Sequence, residues 1–274
     1  MSTHDGEVDL QRDALRHAPG YVDPRYLQTL ATALERQRQR GYELLRLQPG
    51  HRVLDLGCGP ATDTINLAGL VGPTGTVVGV DHDPAMVAEA KRRAEAAGVD
   101  GWTEHVEADA LALPFDAGSF DRVRVQRVFQ HLPQPEAAFA ELVRVTKPGG
   151  WILVFEPDWG TLSIDSTHTD LERRYVRFFA EGYIRNGYAG RQLYRWCVSH
   201  RLEEIVVETY PSHHASYAHF RDSFLAERLE PAAVAAGALT QDEIDRLRQE
   251  WQRADEEGTF FASGHGIAVV GRKP

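Results

Sequence analysis

A short apolar segment followed by two closely spaced glycines is the feature that most constrains the fold of this chain. Residues 53–56 are apolar apart from Asp55, and Gly57-Cys58-Gly59 follow before a helix predicted at 61–70. An apolar run of this length bounded by glycines is typical of a buried strand. Glycines between a strand and a helix let the backbone approach a ligand closely, because no Cβ is in the way. The segment therefore predicts a strand, a ligand-binding turn and a helix in succession.

The same alternation of strand and helix signals continues as far as residue 155. The predicted strands are residues 53–56, 76–80, 102–108, 120–125, 151–155 and 205–210, with a final strand at 260–261 and 267–270. The predicted helices are residues 24–47, 61–70, 84–97, 136–146, 161–200 and 215–255. A β-α-β-α order of this kind predicts an α/β fold with a mostly parallel, doubly wound sheet.

Composition narrows the classes of partner and compartment. The 274 residues carry a formal net charge of −10, which disfavours a nucleic acid partner because phosphate backbones are repelled. No apolar run has the roughly 20 residues of a membrane helix, and the first 20 residues lack a signal-peptide pattern. We therefore expect a cytoplasmic protein without membrane insertion. Cys58 and Cys197 are far apart and outside any CxxC, which supports neither a disulfide framework nor a zinc site.

Two acids and a missing glycine indicate which ligand the turn binds. The second predicted strand ends in Asp81, where a carboxylate can accept hydrogen bonds from two ribose hydroxyls. A dinucleotide fingerprint needs a third glycine, but Thr62 stands at that position. Asp55 would repel a pyrophosphate and attract an ammonium group. These residues favour a nucleoside joined to an amino acid over a nicotinamide dinucleotide.

Five motifs in the expected order give the chain a family resemblance. They are DLGCG at 55–59, VDHDPAM at 80–86, EADALALPF at 107–115, the run from SFDRVRV at 119 to PGG at 150, and weakly the last strand. Together they resemble the class I S-adenosylmethionine (SAM) dependent methyltransferases, most closely the type 11 group with the ubiquinone and menaquinone biosynthesis enzymes. The resemblance covers residues 45–156 well.

The resemblance implies a fold and a division of the chain. The fold is a Rossmann-like, seven-stranded, doubly wound sheet, mostly parallel with an antiparallel last strand, and helical inserts that form a lid. Residues 1–47 would be an N-terminal helical segment, and 48–157 the SAM-binding core. Residues 158–258 would be helical inserts with the sixth strand that cover the substrate, and 259–274 the last strand of the core sheet.

The resemblance also implies the cofactor SAM, its product S-adenosylhomocysteine and the residues around them. Asp55, Gly57, Cys58 and Gly59 would surround the amino-acid end, and Asp81 would bind the ribose with His82 beside it. Met86 would pack on the adenine, whose edge Asp109 and the N–H of Ala110 would read. Gln126 would lie near the methionine part.

Catalysis and metal binding leave more alternatives open. His131, on the turn after Gln126, is the first candidate for a general base near the reacting methyl group. Glu156, Asp158, His213 and His214 are further candidates, and an electron-rich carbon or an amine needs no strong base. No metal is expected, because the sequence shows no clear acidic cluster.

The fourth predicted strand carries arginines where the family is usually apolar. A buried arginine on a central strand must be paired. We therefore predict that Arg124 contacts a carboxylate, with Glu156 as the suggested partner. Substrate binding by Arg124 or Arg127 is the alternative.

The predicted function is methyl transfer to a small-molecule acceptor on oxygen, nitrogen or carbon. The aromatic residues between 175 and 196 suggest an apolar or aromatic acceptor, such as a secondary metabolite or a quinone precursor. They also fit simple packing of the insert against the sheet. The alternatives are non-methylating chemistry on the same fold, methylation of RNA or protein, a nicotinamide oxidoreductase, and binding without catalysis. The oligomeric state is not predicted.

Overall fold

The computed structural model describes residues 35–224 and 226–274, and its centre is one seven-stranded sheet. The strands are β1 (Arg52–Leu56), β2 (Thr76–Asp81), β3 (Thr103–Glu107), β4 (Phe120–Gln126), β5 (Thr146–Ile164), β6 (Glu203–His214) and β7 (Ala262–Arg272). The helices are α1 (Glu35–Leu44), α2 (Thr62–Val71), α3 (Pro84–Ala96), α4 (Pro135–Val145), α5 (Thr169–Arg177), α6 (Ala189–Ser199), α7 (Tyr217–Ser223), α8 (Ala226–Ala235) and α9 (Gln241–Glu256).

The strand order is β3-β2-β1-β4-β5-β7-β6. Strands β1 to β5 pair in parallel, whereas β7 runs antiparallel to both β5 and β6. The predicted α/β class, with seven strands and an antiparallel last strand, is therefore confirmed. The chain reverses its direction of winding between β1 and β4, and ligands of such sheets bind beyond the carboxyl ends of the strands at this point.

Helix α3 shows how local sequence sets an element. Its N-cap is Asp83, whose side chain accepts a hydrogen bond from the backbone N–H of Ala85, and Pro84 opens the first turn. Met86, Ala90 and Ala94 on one face are buried, as the spacing predicts, whereas the fourth member of the predicted stripe, Ala97, is exposed. Gly98 follows the helix with a φ of +68°. The helix is thereby fixed at the end of β2.

Helices cover the two faces of the sheet in separate cores. One face packs against α1, α2 and the end of α3, through a cluster that includes Tyr42, Val53, Leu67 and Val77. The opposite face packs against α4 and α6 in the largest cluster, which includes Val123, Phe139 and Trp196. The direction of each side chain alternates along a strand, so odd-numbered residues of β1 face α1 and α2. Asp55 is one of these residues.

A second hydrophobic core lies outside the sheet proper. Residues of α5, α7, α8 and α9 and of the π-helical turn Phe178–Tyr183 enclose it, and it includes Tyr175, Phe220 and Trp251. Its floor is the far end of β5, because Leu162 and Ile164 belong to the same cluster. The sequence therefore contains a helical subdomain built on an extension of the sheet.

The structure corrects the predicted boundaries of β5 and β7. Residues 161–164, predicted as helix, continue β5, which runs for 19 residues. The cause is non-local, since residues 156–158 and 163–164 pair with β7. Residues 260–261, predicted as strand, precede β7. In the predicted helix at 24–47, residues 24–34 lie outside the described residues.

No helix in the described ranges is both long enough and apolar enough to cross a membrane. Cys58 and Cys197 are both buried, and neither forms a disulfide bond.

Candidate functional site

The turn after β1 is held tightly against two neighbouring strands. The backbone N–H groups of Gly57 and Cys58 both donate to the carbonyl of Val80 at 2.7 and 3.0 Å. Gly57 has a φ of +71°, and a Cβ at this position would overlap the side chain of Val128. Gly59 also has a positive φ, of +51°. Glycine is therefore needed at position 57 for two reasons, its backbone conformation and its close contact with the turn after β4.

Ala61 completes this turn in a conformation that ordinary residues avoid. It precedes α2 with a φ of 61° and is fully buried. A left-handed conformation costs a non-glycine residue about 1–2 kcal/mol. The turn thus keeps a strained residue at the N-terminal end of α2, where strain of this kind is a common companion of binding sites.

Asp81 joins the end of β2 to the glycine turn. One carboxylate oxygen accepts a hydrogen bond from the backbone N–H of Gly59 at 2.9 Å, and the other accepts one from Asp83 at 3.1 Å. The Nδ1 atom of His82 lies 3.3 Å from the carboxylate. Burial alone would raise the pKa of Asp81, but the hydrogen bonds from His82, Asp83 and Gly59 outweigh it and lower the pKa. Asp81 is therefore an ionised acceptor, 11% exposed, at the carboxyl edge of the sheet.

Asp55 lies beneath the turn and is almost completely paired. Its side chain is 1% exposed. One of its oxygens accepts a hydrogen bond from Thr64 at 2.9 Å, and the other accepts one from Arg124 at 2.9 Å. Burial raises the pKa of Asp55 to about 6, and the charge of Arg124 opposes that shift. The pairing of Asp55 with Arg124 follows from the sheet, because the two residues are register partners on β1 and β4.

The prediction that Arg124 is buried and paired is confirmed, but the suggested partner is wrong. Arg124 is 5% exposed and contacts Asp55 and Asp63, the latter at 3.0 Å. It also donates a hydrogen bond to Gln126. The hydroxyl of Tyr42, on α1, donates a hydrogen bond to Asp63 at 2.5 Å. A charge network therefore links the first helix, the glycine turn and β4.

Glu156, the suggested partner of Arg124, instead organises the turn after β4. This fully buried carboxylate accepts hydrogen bonds from the backbone N–H groups of Val128, Phe129 and Gln130, at 2.6, 2.7 and 3.3 Å. Burial raises the pKa of Glu156 to about 7, although these amides oppose the shift. Glu156 thus fixes the short 3-10 turn Phe129–His131 that carries the predicted base His131.

The other predicted residues lie around the same edge of the sheet. Met86 is buried on α3, and Ala110 is buried beside the exposed Asp109, whose side chain accepts a hydrogen bond from Leu111 at 2.9 Å. The side chain of His82 is 72% exposed. The parallel arrangement of β1, β2 and β4 brings the glycine turn, Asp81 and Gln126 to one edge. Their roles toward a cofactor remain predictions.

The candidate bases fall into different surroundings. His131 is exposed. Asp158 is buried and paired with Arg191 at 2.7 Å. His213 is exposed and stacks on Phe261, with ring centroids 6.3 Å apart. His214, the next residue, is half-buried.

A cavity of about 60 Å³ lies next to the end of the parallel sheet. Its lining includes Gln37 of α1, Phe155 and Trp159 of β5, Tyr210 and His214 of β6, and Phe224. A narrower cleft shares Gln37 and Phe155 with this cavity and continues to Arg124 and Gln126. The cleft and the cavity therefore adjoin each other at Gln37 and Phe155.

Gln37 at this cavity was not predicted, and Arg127 was named only as an alternative substrate-binding residue. Arg127 has a positive φ of 60°, and its guanidinium lies 5.5 Å from the ring centre of Trp159. A left-handed arginine directly after β4 has no sequence signal, since arginine rarely adopts this conformation. Gln37 belongs to a helix whose apolar pattern gave no indication that a polar residue faces the interior.

No group of three or more metal-ligating side chains that could hold an ion occurs within residues 35–224 and 226–274.

Comparisons with known proteins are consistent with this geometry. A family described as a methyltransferase domain matches residues 53–150. The chain is 41% identical over 253 residues to an uncharacterised 37.1 kDa protein in transposon TN4556 of Streptomyces fradiae, and the match covers 89% of this chain and 70% of that protein. It is also 42% identical over 124 residues to a demethylmenaquinone methyltransferase of Thermus thermophilus. That match covers 44% of this chain and 54% of the relative, so the chain spans about half the length of such enzymes.

Among solved structures, phosphoethanolamine N-methyltransferase 2 of Haemonchus contortus in complex with SAM has a similar fold. The TM-score is 0.59 at 21% identity, and the match covers 96% of this chain and 60% of that one.

Proposed function

Because the chain belongs to the class I SAM-dependent methyltransferases, we propose that it transfers the methyl group of SAM to a small-molecule acceptor. The observation that carries the proposal is the coupling of Asp81 to the glycine turn. An ionised carboxylate that is 11% exposed lies at the end of β2 and accepts a hydrogen bond from Gly59. This arrangement fits a ribose, whose two hydroxyls are donors that a carboxylate can accept together.

The residues of the turn fit the remaining parts of SAM. The Gly57–Gly59 backbone would pass along the amino-acid end, and Met86, Asp109 and Ala110 would surround the adenine. Asp55 would act from below the turn, where Arg124 already balances its charge at 2.9 Å. We therefore propose that Asp55 shapes the turn and contributes only a weak attraction to the ammonium group. Gln126 lines the cleft that adjoins the cavity. It would therefore lie on the side of the cofactor that faces the cavity.

SAM supplies an electrophilic methyl group on a sulfonium, and its transfer leaves the neutral thioether S-adenosylhomocysteine. The protein orients the acceptor and excludes water, which are the main contributions available in such a transfer. The acceptor would lie beside Phe155 and Trp159, where the cavity of about 60 Å³ would have to widen to the size of an ordinary ligand pocket. Residues 158–258 would cover it, together with α1, and 48–157 would form the cofactor-binding core.

The walls of the cavity favour an apolar or aromatic acceptor. Phe155, Trp159, Tyr210 and Phe224 contribute aromatic rings. The Thermus thermophilus relative is named a demethylmenaquinone methyltransferase, and its match to 44% of this chain supports the proposal. The formal net charge of −10 makes RNA a poor acceptor. No metal is needed for this proposal.

Incubation with SAM labelled in the methyl group tests the proposal directly. A panel of quinols, phenols and amines would be offered, and label would be counted in the organic extract and in the precipitated macromolecules. We expect label in the extract with one or more members of the panel. Label only in protein or RNA would replace the small-molecule proposal, and consumption of SAM without methyl transfer would indicate a non-methylating reaction.

A further inference from the structure

Arg127 has an unusual backbone conformation directly after the last residue of β4. Its φ is 60°, in a left-handed region that arginine rarely adopts. The conformation is held from two sides, because the backbone N–H of Arg127 donates to the carbonyl of Phe155 at 2.9 Å and its own carbonyl accepts from Nε2 of Gln130 at 3.2 Å. Strain of this kind concentrates at binding sites, and the carboxyl ends of parallel strands are where such sheets bind ligands.

The guanidinium of Arg127 has no salt bridge to any of the described residues. It lies 5.5 Å from the ring centre of Trp159, and the residue is half-buried. Two acids of the neighbouring strand β5 are already occupied. Glu156 accepts hydrogen bonds from three backbone N–H groups, and Asp158 accepts one from Arg191 at 2.7 Å and one from a backbone N–H at 3.2 Å. The charge of Arg127 is therefore available to a ligand.

Arg127 and Trp159 both line the cavity of about 60 Å³ beside β5 and β6. At about 15 Å³ for each water-sized group, this volume holds about four such groups. A carboxylate has three heavy atoms and fits, whereas a phosphate has five. Asp158 is the one acid in the described lining, and Arg191 balances its charge. The wall of the cavity therefore has an excess of positive charge, which comes from Arg127.

We propose that Arg127 binds a carboxylate of the acceptor in this cavity, so that the acceptor is an organic acid with an apolar or aromatic body. The inference rests on the proposed methyltransferase function, because it names the class of acceptor for that reaction. Arg127 determines specificity and takes no part in proton transfer.

The chemistry of the guanidinium suits this ligand. Its planar fork of N–H groups matches the two oxygens of a carboxylate, which a lysine at the same position would not do. The ring of Trp159 keeps part of the water away from the guanidinium, and charge-assisted hydrogen bonds are stronger where water is excluded. The carboxylate fits the cavity at its present volume, so the cavity has to widen only for the body of the acceptor.

Binding of two matched probes tests the inference without requiring turnover. The full-length protein, saturated with S-adenosylhomocysteine, would be titrated with benzoate and with benzamide, which has nearly the same shape and no charge. We expect benzoate to bind at least about tenfold more tightly at pH 7.5. The preference should be the same from pH 6 to pH 9, because a guanidinium stays charged over this range. A preference that came from His214 or His265, which also line the cavity, would disappear as pH rises.

Three variants localise the effect. Arg127→Gln should abolish the preference and leave the affinity for benzamide unchanged, which also shows that the cavity is intact. Arg127→Lys keeps the charge without the fork and should restore part of the preference. Arg246→Gln removes the same charge from an exposed position on α9 outside the cavity lining, and should keep the preference in full. All three should bind S-adenosylhomocysteine as wild type does.

The outcomes separate this inference from the proposed function. Equal binding of the two probes, no binding of benzoate, a preference that survives Arg127→Gln, or one that is lost as pH rises to 9 would overturn the inference. Tighter binding of phenyl phosphate than of benzoate would assign the site to a phosphate and also overturn it. Failure of S-adenosylhomocysteine to bind wild type would instead overturn the proposed function.

Discussion

Replacing Arg124 by methionine removes a cation that contacts both Asp55 and Asp63 beneath the glycine turn. Asp63 keeps the hydrogen bond from Tyr42 and the ion pair with Arg38, but among the described residues Asp55 keeps only the hydrogen bond from Thr64, and its side chain is 1% exposed. Breaking a buried ion pair by removing one partner costs about 3–5 kcal/mol. We expect a loss of this size in the free energy of unfolding at pH 8, measured by urea denaturation.

The same variant should be less damaging in acid. Burial already raises the pKa of Asp55 to about 6 with Arg124 present, and loss of Arg124 raises it further. A carboxyl group with a raised pKa binds more protons in the folded state, so its contribution to stability is largest at low pH and falls as pH rises. Each additional pKa unit adds about 1.4 kcal/mol to the loss at pH 8. At pH 5 the loss in the free energy of unfolding should shrink to about 1–2 kcal/mol, because only the hydrogen bonds and packing of Arg124 are then lost.

Two controls separate charge from packing. Arg122 lies on the same strand and donates to the backbone carbonyls of Leu45 and Asp121, at 2.6 and 2.7 Å. Arg122→Met should therefore show a much smaller difference between pH 5 and pH 8, which comes from the repulsion of protonated His51 by Arg122. Adding Asp55→Asn to Arg124→Met should recover stability at pH 8, because no charge is then left unpaired. An equal loss for Arg124→Met at both pH values, or a loss below about 1 kcal/mol at pH 8, would refute the reasoning.

Three further predictions follow from the site. Gly57→Ala should lower the free energy of unfolding by about 2–5 kcal/mol, since the new Cβ would overlap Val128 and the residue would be held in a left-handed conformation. Adding Val128→Ala should recover only part of this loss. Complete recovery would exclude backbone strain. Because the pKa of Glu156 is raised in the folded state, the free energy of unfolding of wild type should fall by about 1–3 kcal/mol as pH rises from 5 to 7. Urea denaturation of Glu156→Gln should show a smaller fall over the same pH range. The same pH dependence in both proteins would contradict this prediction. The hydrogen bond with Asp81 raises the pKa of His82, so the pKa will fall if ribose displaces His82 from Asp81. Calorimetry of cofactor binding near pH 7 should then show proton release, and His82→Asn should remove it. Binding heats that do not depend on the buffer in wild type would contradict displacement.

The sheet was predictable because its signals are local. The strand at 53–56, the cap at Asp83 and the glycine that follows α3 each depend on a few neighbouring residues. The continuation of β5 to Ile164 was not predictable in this way, because residues beyond Phe155 form strand by pairing with β7, about a hundred positions later in the chain. Its run of mixed polar and apolar residues shows neither a strand nor a helix period on its own.

The types of residue at the site were predictable from the sequence, but their hydrogen-bond and ion-pair partners were less so. Arg124 had to be paired once it was placed on a central strand, but its partner depends on register. Asp55 lies opposite Arg124 in the sheet, whereas Glu156 turns toward the amides of residues 128–130. Gln37 carried no signal, and the left-handed conformation of Arg127 was not predictable, because these features come from the packing of α1 and from one unusual backbone angle. Neither is visible without the folded chain.

Calorimetric titration with S-adenosylhomocysteine tests the central claim, which is that the glycine turn and Asp81 together hold a nucleoside joined to an amino acid. We expect saturable binding to wild type and none with NAD. Asp81→Asn should weaken binding about 10–100-fold through the lost charge-assisted hydrogen bonds, while Asp83→Asn, which keeps the cap of α3, should bind as wild type does. No heat with S-adenosylhomocysteine, or equal affinity in wild type and Asp81→Asn, would contradict the account.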